Sequence, residues 1–450
     1  MDLGEIITIK IEDLAYGGDG VGKRGDGRTV FIPLTAPGDL VKSRITKIKK
    51  NYAFGELIEV LKKGEGRVNP PCPVYDNCGG CQLQHISYVK ELESKKKNIE
   101  ELISRIGKIE EFKVNEVISG VDAFRYRNKA QFPLKVDEEN EITAGFYKRG
   151  SHEVVPYHDC LIQHPLINRI LKAALKELNK FGISVYNEKN NSGLLRHLVI
   201  RAGVCTNQAL LVFVTNGSYF PEKEMISEKI IKEIPELKGI IQNINHKKTN
   251  VIFGDKDKVI RGKSYLREYI NKTAYNISAR SFFQVNTLVA AKLYDQIKTY
   301  LGQGGKDTII DAFSGTGSIA LYLADNAEKI YAVESLSTAV KDAEENAILN
   351  GITNIEFIEG LVEKELEDIV NKDDIDTIIF DPPRKGLDNK TIELLKKVKI
   401  NKIIYISCNP ATQARDLRKL KSHYNLLEVQ PVDLFPQTYH IESAALLKLK

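Results

Sequence analysis

Thr308-Ile309-Ile310-Asp311-Ala312-Phe313-Ser314-Gly315-Thr316-Gly317-Ser318 reads as a short strand, a glycine turn and the opening of a helix. A short apolar run ending in an acid suits a buried strand of a parallel sheet. Gly315 and Gly317 let the backbone turn tightly and lie close to a ligand. Outward from this stretch the pattern alternates. Strand-like segments fall at 308–311, 329–333, 354–358, 377–381 and 402–407, and helix-like segments at 319–326, 339–350 and 392–398. The alternation predicts an α/β, Rossmann-like domain over residues 276–450, with a mostly parallel, doubly wound sheet.

In such sheets ligands sit beyond the carboxyl ends of the strands. Glu334 ends the second strand and can accept hydrogen bonds from two ribose hydroxyls. Gly315-x-Gly317-x-x-Ala320 also satisfies the dinucleotide fingerprint, so a nicotinamide oxidoreductase is a rival reading. Asp311 before the loop and Asp381-Pro382-Pro383-Arg384 after the 377–380 strand favour S-adenosylmethionine. The lesser alternative for Asp381-Pro382-Pro383 is a rigid strand exit with an Asx-type turn.

The 402–407 strand runs into Cys408-Asn409-Pro410, at the same edge of the sheet. A lone cysteine there is more often a small buried hydrophobe than a nucleophile. The convergence of motifs on one edge makes Cys408 the candidate nucleophile. Glu442, in Tyr439-His440-Ile441-Glu442-Ser443, opens the last strand and is the candidate base. Without Cys408 it would read as a salt-bridged acid.

Residues 1–66 carry several short strands between glycine turns, the pattern of a small closed barrel. Lys42, Arg44, Lys47, Lys49 and Lys50 fall within nine residues free of acids, either a phosphate-binding stripe or a strand edge protected by charge. Residues 67–275 form an α+β middle region. It opens with a cysteine-rich turn and a helical pattern over 88–109. Strands follow at 195–201, 209–215 and 240–245, with helices at 166–181 and 222–234 between them. Cys72, Cys78 and Cys81 lie within ten residues and Cys160 follows later. Four thiolates suit zinc or an iron–sulfur cluster. The spacing is not that of a radical-SAM triad. Cys205, within the strand-rich region, is expected in the core.

The chain has 450 residues, 42% of them hydrophobic, enough for about three domains with cores. Its net charge of +5 permits an RNA partner without announcing one. There is no membrane-length apolar run and no signal peptide, so a cytoplasmic enzyme is expected. Six cysteines are too few for a disulfide scaffold in a chain of this length.

Taken together, the motifs resemble the RNA uracil-5 methyltransferases, specifically the 23S ribosomal RNA branch with an N-terminal TRAM barrel and a [4Fe–4S] cluster. Residues 1–66 resemble the TRAM domain, and Cys72, Cys78, Cys81 and Cys160 match the cluster ligands. Phe282-Phe283-Gln284-Val285-Asn286 matches the cofactor segment, with Gln284 touching S-adenosylmethionine; Phe313, Glu334 and Asp381 match further cofactor contacts. Ser407-Cys408-Asn409-Pro410 matches the nucleophile signature and His440-Ile441-Glu442 the base signature. The resemblance implies methyl transfer to C5 of a uridine through a covalent Cys408–C6 adduct, by a monomer. Gly360 departs from it, where a polar side chain near the adenine is expected, and Ser318 replaces a larger amide of some members. A tRNA-directed enzyme and a non-enzymatic ribosome-assembly factor are the alternatives. An amino-group methyltransferase fits less well, because Arg384 stands where that chemistry favours an aromatic.

Overall fold

The computed structural model describes residues 2–302 and 307–450. Strands Ile6–Leu14, Gly20–Lys23, Thr29–Ile32, Leu40–Ile48 and Tyr52–Lys62 close into a five-stranded barrel. Ile7, Ile9 and Ile11 alternate inward with Val30, Ile32, Val41 and Ile45, the two-residue period of a strand with one buried face. Lys42, Arg44, Lys47, Lys49 and Lys50 are all exposed. The neighbouring strand sets carboxylates against the first two: Lys42 pairs in register with Glu59, 3.9 Å away, and Arg44 with Glu56. Two of the five basic residues thus have a carboxylate opposite them from outside their own sequence window.

A seven-stranded sheet follows in the order Lys256–Gly262, Leu237–Ile244, Ala209–Thr215, Leu195–Ala202, Lys129–Val136, Ile142–Tyr147, Val154–Pro156. Helices Pro165–Lys180 and Lys223–Glu233 cover one face, where Ile167, Ile170 and Ile226 pack on Leu198, Ile200 and Phe213. The other face carries Val199 and Val212 against Val289 and Leu293 of helix Thr287–Leu301. Ala209–Thr215 is buried throughout because both of its faces are covered. Cys205 is exposed, contrary to the expectation of a core residue: it lies in the turn joining two strands, and its thiol donates to the Tyr269 carbonyl at 3.4 Å.

The third unit is an eight-stranded sheet. Ile355–Glu359, Lys329–Glu334, Thr308–Ala312, Thr377–Phe380 and Lys402–Ser407 run parallel. Glu442–Leu449 then inserts antiparallel between Lys402–Ser407 and Tyr424–Val432. The far edge is Lys113–Val114, drawn from the 67–275 stretch. Helix Tyr88–Leu102 and the π-turn Ile103–Gly107 also serve this sheet, since Ile99 and Ile103 pack with Ile403, Tyr405 and Val429. The hairpin Tyr265–Ile270/Thr273–Ser278 spans position 275 and leans on helix Ser337–Asn350. Its Ala274 and Asn276 N–H groups donate to the side-chain oxygens of Asn350 and Asn346 at 2.9 and 2.7 Å. Among the described residues no helix is long and apolar enough to cross a membrane.

Candidate active site

A cleft of about 560 Å³ opens where the parallel strands end. Four of the five parallel strands lead into a side chain that lines it: Phe313 after Thr308–Ala312, Glu334 at the end of Lys329–Glu334, Asp381 after Thr377–Phe380 and Cys408 after Lys402–Ser407. Gln284 reaches it from the segment before helix Thr287–Leu301, a segment held by Asn128, whose amide donates to the Gln284 carbonyl at 2.8 Å. Phe313 stands at φ +66°, a conformation costly for a side chain of its size and one that recurs at functional turns. The Glu334 carboxylate accepts the Gly315 N–H at 3.1 Å and the Leu336 N–H at 2.8 Å, so the acid and the glycine loop hold one another.

Asp311 and Gly317 do not face the cleft. Asp311 is buried beneath it, where its carboxylate accepts the Ala320 N–H at 3.0 Å and so anchors the start of the helix. Gly317, at φ +72°, allows close packing: a Cβ there would stand 3.0 Å from Ala343 and 3.3 Å from Phe357. Gly360 does line the cleft; its N–H donates to the Glu334 carbonyl at 3.0 Å, and the Glu365 side chain fills the space a Cβ there would need, 2.4 Å away.

Cys408 and Glu442 leave adjacent strands together. Ser407 pairs with Ser443, which puts Cys408 beside Glu442 at the next rung. Pro410 begins helix Pro410–Leu420, and the Asn409 side chain caps it by accepting the Ala411 N–H at 3.2 Å. Asn409 also donates to the Arg384 carbonyl at 3.3 Å, tying the cysteine turn to the Asp381–Arg384 turn. Burial, then the Glu442 and Asp381 carboxylates, push the Cys408 thiol up to about 11, with Arg384 opposing. Burial and Asp381 hold Glu442 well above the ordinary carboxylate range. Burial raises Asp381 to about 6, and burial with Asp381 nearby raises Asp311 to about 7.

Cys408 and Arg384 are shared with a second cavity of about 350 Å³, walled by Tyr439 and His440. The Tyr439 and His440 rings lie 4.1 Å apart, and Tyr16 of the barrel sits edge-on to Tyr439 at 5.9 Å. Burial and Arg384 push His440 down to about 4, which leaves it neutral at pH 7. Tyr16 escaped the sequence reading. It stands alone beside Gly17-Gly18, and nothing within the barrel's own sequence marks it as a neighbour of Cys408.

Cys72, Cys78, Cys81 and Cys160 line one cavity of about 380 Å³. Burial pushes all four thiols up, Cys160 to about 11. The Gly80 N–H donates to the Cys78 sulfur at 3.4 Å. Among the described residues no three Cys, His, Asp or Glu side chains are gathered closely enough to hold a single metal ion. The thiols surround a void rather than a point.

Residues 87–450 match the model of the tRNA (uracil-5-)-methyltransferase family, and residues 2–58 that of the TRAM domain. An "uncharacterized RNA methyltransferase" of Halalkalibacterium halodurans is 42% identical over 448 residues, spanning 99% of this chain and 97% of its own. One from Caldanaerobacter subterraneus is also 42% identical over 448 residues, spanning 99% and 98%. Among solved structures, the tRNA (uracil-54, C5)-methyltransferase of Pyrococcus abyssi, in complex with S-adenosyl-L-homocysteine, superposes with a TM-score of 0.80. It is 27% identical, over 98% of this chain and 100% of that one. The chain belongs to the RNA uracil-5 methyltransferase family and carries a TRAM domain at its N-terminus.

Proposed function

We propose that this protein methylates C5 of a uridine in RNA, 23S ribosomal RNA first among candidates, with Cys408 as covalent nucleophile and Glu442 as base. One observation carries the reading: Cys408 and Glu442 come opposite one another, one rung past the Ser407–Ser443 pair, and line the cleft that Gln284, Phe313, Glu334 and Asp381 also line. The cleft suits S-adenosylmethionine. Glu334 offers a carboxylate to a ribose, and Asp381, raised by burial, and Glu442, raised by burial and then by Asp381, would gain from a cationic sulfonium nearby. When bound, that cofactor supplies an electrophilic methyl group.

The chain's own residues do the rest. Cys408, in its thiolate form, adds its sulfur to C6 of the uracil, and the C5–C6 π pair becomes an enolate with density at C5. Once C5 has taken the methyl group, Glu442 removes the C5 proton. The C5–C6 double bond re-forms, the C6–S bond breaks, and Cys408 leaves as thiolate. The Tyr439–His440 cavity, which Cys408 also lines, offers aromatic faces to a base swung out of its stack.

The four cysteines fit a [4Fe–4S] cluster better than zinc. A single zinc ion needs its sulfurs at about 2.3 Å from one centre, whereas a four-iron cluster is large enough to need a cavity such as the one of about 380 Å³ that the four cysteines line. Buried thiols without a nearby cation would stay protonated; a cluster supplies the positive iron that makes them ligands. With all four cysteines as ligands the cluster would offer no iron to substrate, and its role would be structural. Protein purified without oxygen is expected to be brown, with about four irons per chain; stoichiometric zinc in a colourless protein would overturn this assignment.

A transfer RNA target is the second reading, favoured by the likeness to the Pyrococcus abyssi enzyme. Labelled S-adenosylmethionine with transcripts of 23S ribosomal RNA and of transfer RNA separates the two. The expected product is 5-methyluridine in the ribosomal transcript. Label only in transfer RNA would reassign the substrate, and label on any atom but uridine C5 would reject the mechanism.

A further inference from the structure

The loop that delivers Glu442 is held by a buried ionic cluster far from it in sequence. Lys95, on helix Tyr88–Leu102, is 2% exposed, and its ammonium donates to Glu91 Oε1 and Asp433 Oδ1, both at 2.7 Å. Both carboxylates are fully buried. Asp433 ends the strand Tyr424–Val432 and begins the loop. Its second oxygen accepts the Tyr88 hydroxyl at 2.9 Å, while Oδ1 also accepts the Phe435 N–H at 3.3 Å. Lys95 further donates to the Phe435 carbonyl at 3.3 Å. Glu91 Oε1 takes the N–H of Gln437 at 2.8 Å.

Gln437 is the hinge of this arrangement. It adopts φ +69°, a left-handed conformation that a glutamine holds only when its surroundings dictate it. Its carbonyl accepts two N–H groups, from Gln82 and Leu83, each at 3.0 Å. Those residues directly follow Cys81. The hydroxyl of Tyr126 donates to the Pro436 carbonyl at 3.1 Å. Thus the loop is gripped on one side by helix Tyr88–Leu102 and on the other by the cysteine-rich turn. Within five residues of Gln437 come Tyr439, His440 and Glu442.

A buried ion cluster is weak evidence for stability, because desolvation offsets most of the attraction. What it supplies is a fixed geometry with few alternatives. We infer that Asp433, together with Lys95 and Glu91, is a positioning group that sets Glu442 and the Tyr439–His440 wall relative to Cys408. The inference rests on Glu442 being the base. None of the three touches the cofactor cleft or the target cavity, so they act through the loop.

The test is Asp433→Asn in the full-length, cluster-loaded protein. Asparagine keeps the shape and one acceptor, and Lys95 stays paired with Glu91, so no buried charge is stranded. S-adenosylhomocysteine affinity is expected within twofold of wild type, which shows that the fold and cleft survive. Turnover is expected to fall at least tenfold, and the covalent complex with unmodified uridine RNA, seen as a denaturant-stable band, is expected to accumulate. Lys95→Arg, which retains the charge, should give a smaller loss of the same kind. Normal turnover in Asp433→Asn, or a loss with no covalent band while Glu442→Gln shows one, overturns the inference. If Glu442→Gln itself shows no covalent band, the fault lies with the assignment of the base instead.

Discussion

Cys408→Ala is expected to abolish methylation, by roughly 10⁴-fold or more, while S-adenosylhomocysteine still binds as to wild type. At 1.36 kcal/mol per decade this is about 5 kcal/mol of transition-state stabilisation. No ordinary change of hydrogen bonding in the cleft supplies so much, because uracil C5 is a poor nucleophile until C6 has been attacked. The cofactor should be indifferent to the change, since the residues proposed to hold it, Gln284, Phe313, Glu334 and Asp381, come from other segments. RNA carrying 5-fluorouridine provides the positive counterpart. Fluorine at C5 cannot leave as a proton, so the wild-type protein should be trapped on it in a denaturant-stable complex, and Cys408→Ala should not. The raised thiol makes the trapping pH-dependent. With a value of about 11 in the free protein, the thiolate fraction at pH 7 is only ~10⁻⁴ and rises about tenfold per pH unit. Trapping should therefore quicken as pH rises from 6 to 9. The gradient should soften once the sulfonium stands near Glu442 and Asp381, since it offsets the carboxylates that hold the thiol up. Methylation that survives in Cys408→Ala would end the covalent mechanism.

The parts of this molecule that were legible in its sequence are those in which one strand or one turn carries its own signal. The catalytic sheet announces itself because each parallel strand is a short apolar run closed by a polar residue, and a strand's carboxyl end is where ligands sit. Cys408, Asp381 and Glu334 could be placed at one edge for that reason alone. The barrel was legible from alternation, Ile7, Ile9 and Ile11 pointing inward. The features that escaped are made between distant segments. Glu56 and Glu59 face the basic stripe only because the strands pair antiparallel. Lys113–Val114 is too short to show a period, and it joins a sheet whose neighbouring strand lies more than 300 residues later. Asp311 carried the right residue type at the right place, yet it serves the helix from below while Glu334 faces the cleft. Cys205 misled because a thiol is usually buried, and a turn between two strands looks apolar from either side. The Lys95–Glu91–Asp433 cluster left no trace beyond ordinary helix charges, since an i, i+4 pair on a helix is more often a surface feature.

Glu442→Gln separates the two halves of the reaction. The amide fills the same space but cannot accept the C5 proton, so addition of Cys408 and methylation of C5 should proceed while release fails. Turnover is expected to drop by about 10²–10⁴-fold, the usual worth of a positioned base. A covalent complex should accumulate on ordinary uridine RNA, whose mass includes the transferred methyl group. The stability of the variant provides an independent check on the same carboxylate. Burial and Asp381 raise Glu442 well above the usual range, so its ionised form is disfavoured in the folded state. For a carboxyl raised on folding, the native state binds the extra proton. Stability is therefore lost as pH climbs from the unfolded value, about 4.3, through the raised folded one. Glutamine removes that loss. The melting temperature of Glu442→Gln should match wild type near pH 4 and exceed it by a growing margin towards pH 8. A variant that melts lower than wild type at pH 8 would show that the Glu442 carboxylate is paired and structural. One that binds RNA poorly without accumulating the methylated adduct would assign it to substrate recognition, and the proton would then have to leave through another group in the cleft, with Asp381, beyond the Cys408 strand, the carboxylate that acts on Glu442.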